Sequence, residues 1–287
     1  LPDAADLAPE DKWILTEYNK VVTTVVDALD HFEVGVALSA AYDFVWDIFC
    51  DWYIELTKSR LAEKDTPGNR VAQNVLCYVL TGILKLLHPF MPFITEEIYQ
   101  ALPHSAGAPE SIVISAFPKP DAALEFPAES LSLSRVIGVI KAIRLRRNEM
   151  NIAPSRRAKI YLATKYADSF GPATHPFFAR LASASSVSVA ESFPADEVSA
   201  DNAVQIVTES AVVYLPLSEL IDLEKEKARL EAERAKMESE IQRTEQKLAN
   251  ASFVAKAPAA VVDAERTKLA SYREKLVGIL AALEKIG

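Results

Sequence analysis

Hydrophobic residues recur along this chain at two different periods. Over residues 10–29, Ile14, Tyr18, Val21, Val25 and Leu29 step by threes and fours, which predicts a helix with one buried face. Pro9 suits its first turn. A longer helix is predicted over 32–61, with Leu38, Tyr42, Val45, Phe49, Trp52 and Leu56 inward and a turn at Asp65-Thr-Pro-Gly68 to end it. Residues 69–87 give a third, with Leu76, Leu80, Ile83 and Leu87 aligned. The two prolines of His88-Pro-Phe-Met-Pro-Phe93 break it, and a short helix resumes over 95–99. A proline-rich connector at 103–127, with 111–114 as a short extended piece, leads to a fifth helix over 128–148 that turns Leu133, Ile137, Ile140 and Ile143 inward. Five helices with loops of these sizes make a bundle.

The period then drops to that of a strand. Residues 159–163, 187–189, 204–207 and 211–215 alternate or are β-branched, and turn residues flank them. With a helix expected over 177–184, they predict a small α+β module.

The last stretch returns to threes and fours as two heptad runs. Leu220, Lys227, Arg234, Ile241 and Leu248 fall at one core spacing, and Leu223, Leu230, Met237 and Thr244 at the other. After the interruption at 250–258, Val262, Leu269, Leu276 and Leu283 alternate with Glu265, Tyr272, Ile279 and Ile286. Each run has one apolar seam that a second helix must cover. Pro258 cannot continue a helix, so the chain is expected to turn and zip antiparallel into an arm roughly 45 Å long at 1.5 Å per residue. On pattern alone, a dimerising coiled coil fits as well. The expected fold is therefore mainly α. A helical bundle occupies 1–150, a small α+β linker module 151–218, and a long antiparallel coiled-coil hairpin 219–287.

Composition narrows the functional classes. Half of the 287 residues are hydrophobic and a quarter charged, which suits two or three soluble domains. No uninterrupted apolar run is long enough to span a bilayer, and the first residues carry no secretory leader. The chain starts at Leu1 and not Met, which fits a piece cut from something longer. Cys50 and Cys77 lie in apolar helical runs without a C-x-x-C, so no zinc site or disulfide is expected and a cytoplasmic setting fits. A net charge of -9 leaves only local basic patches for nucleic acid.

No catalytic constellation emerges. The eight glycines form no phosphate loop, and the four histidines lack metal-ligand spacing. The exception is a basic cluster. Arg135, Lys141, Arg144, Arg146, Arg147, Arg156, Arg157 and Lys159 share their window with one carboxylate, Glu149. Such a cluster can neutralise phosphates, or it can be a solvated, ion-paired face. In the far half of the arm, Arg243, Lys247, Lys256, Arg266, Lys268, Arg273 and Lys275 outnumber Glu245, Asp263, Glu265 and Glu274. Lys12-Trp13 pairs a cation with an aromatic that could stack a splayed base, although a Trp there is more often core.

At this point particular residues carry a resemblance. Asp11-Lys-Trp-Ile-Leu15, Phe49-Cys-Asp-Trp-Tyr-Ile-Glu-Leu56 and Leu87-His-Pro-Phe-Met-Pro-Phe-Ile-Thr-Glu-Glu-Ile98 resemble the anticodon-binding bundle of class I aminoacyl-tRNA synthetases. Arg144-Leu-Arg-Arg-Asn-Glu-Met-Asn-Ile-Ala-Pro154, Leu215-Pro-Leu-Ser-Glu-Leu-Ile-Asp222 and Phe253-Val-Ala-Lys-Ala-Pro-Ala-Ala-Val-Val262 are similar to the valyl branch and its C-terminal coiled coil. Phe117-Pro118 departs from the family's usual Trp-Pro. The resemblance implies the tRNA-binding part of a valine–tRNA ligase, with tRNA(Val) as partner, no membrane, and a monomeric state. The catalytic and editing domains would belong to the same parent chain. The family's H-I-G-H and K-M-S-K-S signatures for ATP are missing, so this part would have no cofactor and no activity alone. It also implies Lys12, Trp13, Arg243 and Lys268 as tRNA contacts, and the two basic stretches add Arg144, Arg147, Arg156, Lys256 and Arg266 as candidates. The rival from another class is a structural protein that self-associates through its coiled coil.

Overall fold

A computed structural model describes residues 1–192, 199, 202–220, 223–250 and 258–286. Two thirds of the chain is helical, with one small four-stranded sheet. Helix α1 (Pro9–Asp30) opens with Pro9 at its first position and with the Asp11 carboxylate accepting the Ala8 N–H at 3.0 Å. Helices α2 (Val34–Asp43) and α3 (Ile54–Ala62) are joined by a π-helical stretch, Phe44–Tyr53, into one continuous rod. Helix α4 (Pro67–Leu87) starts where the Thr66 hydroxyl accepts the Asn69 N–H at 3.1 Å. Helices α5 (Pro92–Ala101) and α6 (Pro127–Glu149) complete the bundle.

The rod runs antiparallel to α1 and is fastened near its own far end. The Asp11 carboxylate, fully enclosed, accepts the Tyr53 hydroxyl at 2.7 Å and two Arg60 N–H groups at 2.8 and 2.6 Å. Arg60 also reaches Glu10 at 2.9 Å. One carboxylate thus fixes the start of α1 against both the π segment and α3.

The inward stripe predicted for the rod is off along its first half. Ala37, Ala41, Phe44, Phe49, Trp52, Tyr53 and Leu56 are buried, whereas Tyr42 is 57% exposed. Ala37 and Ala41 are small enough for α1 to approach closely, which makes theirs the buried line of α2 and turns Tyr42 outward. In α4 the buried line is Val75, Val79, Ile83 and Leu86, one position away from the expected Leu76, Leu80 and Leu87. The stretch 111–114, expected to be extended, closes instead as a 3₁₀ turn over Ile112–Ile114. Helix α6 buries Leu133, Ile137, Ile140 and Ile143 as expected. Among the described residues only α4 is long and apolar enough by composition to cross a bilayer, and its apolar line is part of the bundle core.

The sheet comprises β1 (Ala158–Ala163), β2 (Ala184–Ala190), β3 (Ala203–Val207) and β4 (Val212–Pro216), in the order β2-β1-β4-β3. The β1–β2 pair is parallel, and α7 (His175–Leu181) makes the crossover that a parallel pair requires. The other two pairs are antiparallel, with Tyr161 opposite Tyr214. Ile160, Leu162, Phe170, Phe178 and Val213 join Ile140 and Ile143 in one buried cluster, so the sheet seats on α6.

A short helix, α8 (Leu217–Leu220), leads to α9 (Leu223–Ala249) and α10 (Ala259–Ile286), which pack against each other. Leu230 and Thr244 are buried on α9, and Val262 and Ile279 on α10. Ion pairs cross from the end of α9 to the first half of α10: Lys247 to Glu265 at 2.8 Å and Arg273 to Glu245 at 2.6 Å. The expected turn between the two helices falls largely outside the described residues.

Candidate nucleic-acid interface

The basic cluster of the sequence divides in two once folded. Arg147 is buried and donates to the carbonyls of Ala153 (3.4 Å) and Arg156, closing the loop after α6, where Asn151 takes a left-handed backbone (φ 52°). Arg135 stacks 3.8 Å above the Tyr166 ring and donates to Ser169. Arg157 donates to the Ala184 carbonyl at 3.3 Å. Arg135 thus ties the bundle to the sheet module, Arg147 the loop after α6, and Arg157 the approach to β1 onto the start of β2. Arg147, expected as a tRNA contact, is largely enclosed and ties down its loop through one guanidinium nitrogen.

The rest of the cluster faces solvent. Lys141 and Arg144, one helical turn apart, lie 5.4 and 6.0 Å from the enclosed Trp52 ring, which orients both through the negative face of its π system. Arg146 pairs with Glu149 at 3.2 Å, and Arg156 is exposed. The patch is therefore a short outward row on the last turns of α6 and the loop beyond it.

Lys12 and Trp13 do not form the aromatic–cation platform the sequence allowed. Trp13 is 3% exposed, with its indole N–H 3.3 Å from the Ser134 hydroxyl, so no base can reach the ring without opening the core. The Lys12 ammonium pairs with Glu129 at 2.9 Å over the Phe126 ring, and that pairing holds the Glu129 carboxyl below the usual range. Both residues clamp α1 to the start of α6.

A cleft that the sequence did not disclose lies between α4 and the connector, open to solvent and with a volume of about 1280 Å³. Arg70, Lys85 and Lys119 are its cations, and among its lining residues Asp6 is the one carboxylate. Gln73 and Asn74 present side-chain amides, each able to donate and accept. Tyr78 stands partly exposed at 5.9 Å from the Tyr18 ring in an edge-on contact. Burial, above all, raises the hydroxyl pKa of both tyrosines, so they are neutral donors and not anions. His104 meets Tyr99 in a tilted contact, ring centroids 4.4 Å apart, on the opposite wall. The polar residues of α4 that form this cleft, Arg70, Asn74, Cys77, Thr81 and Lys85, repeat by threes and fours opposite the apolar line. That second stripe was the available signal. Cation, amide and aromatic around an open concavity are the groups that hold an unpaired base and its phosphate.

On the arm, Arg243 is exposed and, among the described residues, makes no ion pair. Arg266 pairs with Asp263 at 3.4 Å and Lys268 with Glu265 at 3.7 Å, both cations being more than half exposed. Glu265 takes its main hydrogen bond from Lys247, which lowers its pKa. Part of the cationic surplus is thus spent within the arm. Lys256 lies outside the described residues. Cys50 and Cys77 are free thiols, and among the described residues no group of three or more His, Cys, Asp or Glu is placed to hold a metal.

Comparisons with known proteins divide the chain along similar lines. The family described as the anticodon-binding domain of tRNA ligase matches residues 11–162, and the valyl tRNA synthetase tRNA binding arm matches residues 222–287. Valine–tRNA ligase of Clostridium acetobutylicum is 43% identical over 98% of this chain and 32% of its own length. That of Clostridium tetani is 46% identical over 99% and 32%, and that of Carboxydothermus hydrogenoformans 45% over 95% and 30%. The chain spans about a third of the length of the curated relatives it matches.

Proposed function

We propose that this chain, which belongs to the family of tRNA-ligase anticodon-binding domains, is the tRNA-binding C-terminal portion of a valine–tRNA ligase. Its task is to hold tRNA(Val) so that the acceptor end meets a catalytic domain carried elsewhere in the parent. ATP and the ligation chemistry belong to that other part, as does editing. The reading divides the chain into an anticodon-binding bundle (1–150), an α+β linker (151–218) and an antiparallel coiled-coil arm (219–287). It works in the cytoplasm as a monomer, with α9 and α10 covering each other's seams.

The observation that carries this reading is where the outward cations stand. In a chain of net charge -9 they gather in the α4 cleft, along the end of α6 and on the far half of the arm. Separated footholds of this kind orient a large polyanion, where a single patch would only tether it. The α4 cleft takes unpaired anticodon bases. Arg144 and Arg156 meet backbone phosphates, and Arg243, Lys256, Arg266 and Lys268 meet the tRNA at a further point on the arm. Lys12 acts indirectly, by fixing α1 to α6.

Binding of tRNA(Val) by the 287-residue chain tests this. Arg70→Glu in the cleft is expected to weaken binding and Arg243→Glu on the arm to weaken it independently, both with unchanged thermal unfolding. A chain that is a stable dimer at micromolar concentration and indifferent to tRNA would return the rival reading, self-association through the arm.

A further inference from the structure

The outer face of α2 and the π segment is neither core nor RNA surface. Gly35, Ser39, Tyr42 and Trp46, spaced four, three and four, all face solvent. Tyr42 and Trp46 are 57% and 53% exposed and lie together, ring centroids 6.2 Å apart. At the head of the same helix Val34 and Val36 are each about half exposed. Just before it, Phe32 is 90% exposed in a left-handed backbone (φ 62°), at the end of α1 where glycine is the usual residue. An indole and a phenol left in tilted contact in water, with further exposed apolar side chains toward the head of the same helix, form an apolar face that soluble surfaces seldom leave uncovered.

Charge decides what covers it. From Val21 to Thr57 the chain has no Lys or Arg, and it has seven carboxylates: Asp27, Asp30, Glu33, Asp43, Asp47, Asp51 and Glu55. A phosphate backbone or an anionic lipid surface is repelled there. A polypeptide with apolar side chains among Lys and Arg is the complement. A free second copy would need an interface of about 1,200–2,000 Å² in total, more than a patch centred on two rings supplies. A partner tethered in the same chain needs far less, because its effective concentration is high and interdomain contacts are smaller and more polar. The relatives carry about two thirds of their length outside the region this chain matches.

We propose that the Tyr42–Trp46 face is the seat of the remainder of the parent chain, which presents an apolar segment flanked by Lys and Arg to it. This rests on the reading that the chain is part of a valine–tRNA ligase. It assigns the rod's acidic side to domain docking and leaves the α4 cleft and the end of α6 to RNA.

The test is hydroxyl-radical footprinting, with mass-spectrometric readout, of the 287-residue chain and of the longer parent chain. Aminoacylation of tRNA(Val) is measured on the same parent sample. Tyr42 and Trp46 are expected to label strongly in the 287-residue chain. In the parent they should fall to the level of the enclosed Trp13 and Trp52, and Trp46→Lys in the parent should restore labelling of Tyr42. Equal labelling of Tyr42 and Trp46 in both chains overturns the proposal. So does their protection in the 287-residue chain by self-association at micromolar concentration or by added tRNA. A parent that is protected but inactive in aminoacylation would sink the functional reading while leaving the docking face in place.

Discussion

Gly82 sits in the middle of α4, where its missing side chain sets two effects against each other. Exchanging it for Ala improves intrinsic helix propensity by about 1 kcal/mol. The space is already taken, however. A Cβ at this position would lie 2.1 Å from the Tyr18 hydroxyl oxygen, 2.4 Å from Cζ and 2.6 Å from Cε2. The ring would have to retreat by about 1.3 Å to restore an ordinary 3.4 Å contact. Tyr18 is 5% exposed, in contact with the Phe44 and Tyr78 rings, so it can yield only by pushing into the core or swinging out into the cleft. Overpacking of this kind costs about 1–3 kcal/mol, which exceeds the propensity gain. With a 1.3 Å retreat placing the cost in the upper part of that range, about 2–3 kcal/mol, Gly82→Ala is expected to lower stability by a net of about 1–2 kcal/mol, with Tm a few degrees lower as scales with a domain of this size. Urea unfolding monitored by circular dichroism measures it. Tyr18→Leu removes the obstructing ring, so in that background Gly82→Ala should reverse sign and stabilise. An alanine variant at least as stable as the parent, with Tyr18 in place, would refute the packing.

The buried carboxylate at the start of α1 gives a second prediction: Asp11→Asn should cost about 1.5–3 kcal/mol, because Arg60 loses one of its two carboxylate partners and keeps Glu10. Tyr53→Phe should cost about 1.5–3 kcal/mol for one hydrogen bond to a charged acceptor, both read from denaturant titrations. Its neighbour Glu10 behaves differently. Burial raises its pKa above the ordinary 4.5, outweighing the attraction of Arg60. A carboxyl that holds its proton more tightly when folded costs stability as the pH climbs from 4.5 through its folded value. Urea midpoints across that window should therefore show Glu10→Gln gaining on the parent as the pH rises, and parallel profiles would contradict this. On the arm, Lys268→Glu places a carboxylate beside Glu265 and should weaken tRNA binding with the helices intact. If Lys268 neutralises one phosphate, its replacement should also reduce the salt slope by about one, as titrations at several salt concentrations would show.

What the sequence disclosed depended on which interactions are local. Helix positions came from side chains three and four apart, so α1, α4, α6 and the two long C-terminal helices could be read almost to their ends. The π segment could not, since a change of backbone bond pattern leaves no periodic mark of its own, and Tyr42 faces outward because α1 packs on Ala37 and Ala41. The strands were visible from β-branching, but their order was not, because the parallel β1–β2 pair depends on a crossover through α7. Charge was legible as a count and not as a surface. Arg147 and Arg144 are three residues apart, and only the fold shows that one ties down a loop while the other faces water. A Trp at the position of Trp13 is more often core than platform, and its enclosure beside Ser134 decides for core. The cleft on α4 was hidden for a plainer reason. Its polar stripe is legible, but its second wall comes from the connector, whose path no periodicity specifies.

The claim on which the rest depends is that separated cationic footholds orient one tRNA. Binding of tRNA(Val) and of an anticodon-swapped tRNA(Val) to the 287-residue chain, across a salt series, tests it most directly. The account predicts tighter binding of the cognate anticodon that persists at high salt, with the difference abolished by Arg70→Glu in the α4 cleft and retained in Arg243→Glu. Equal affinity for the two RNAs at every salt concentration, whatever the steepness of the slope, would contradict it.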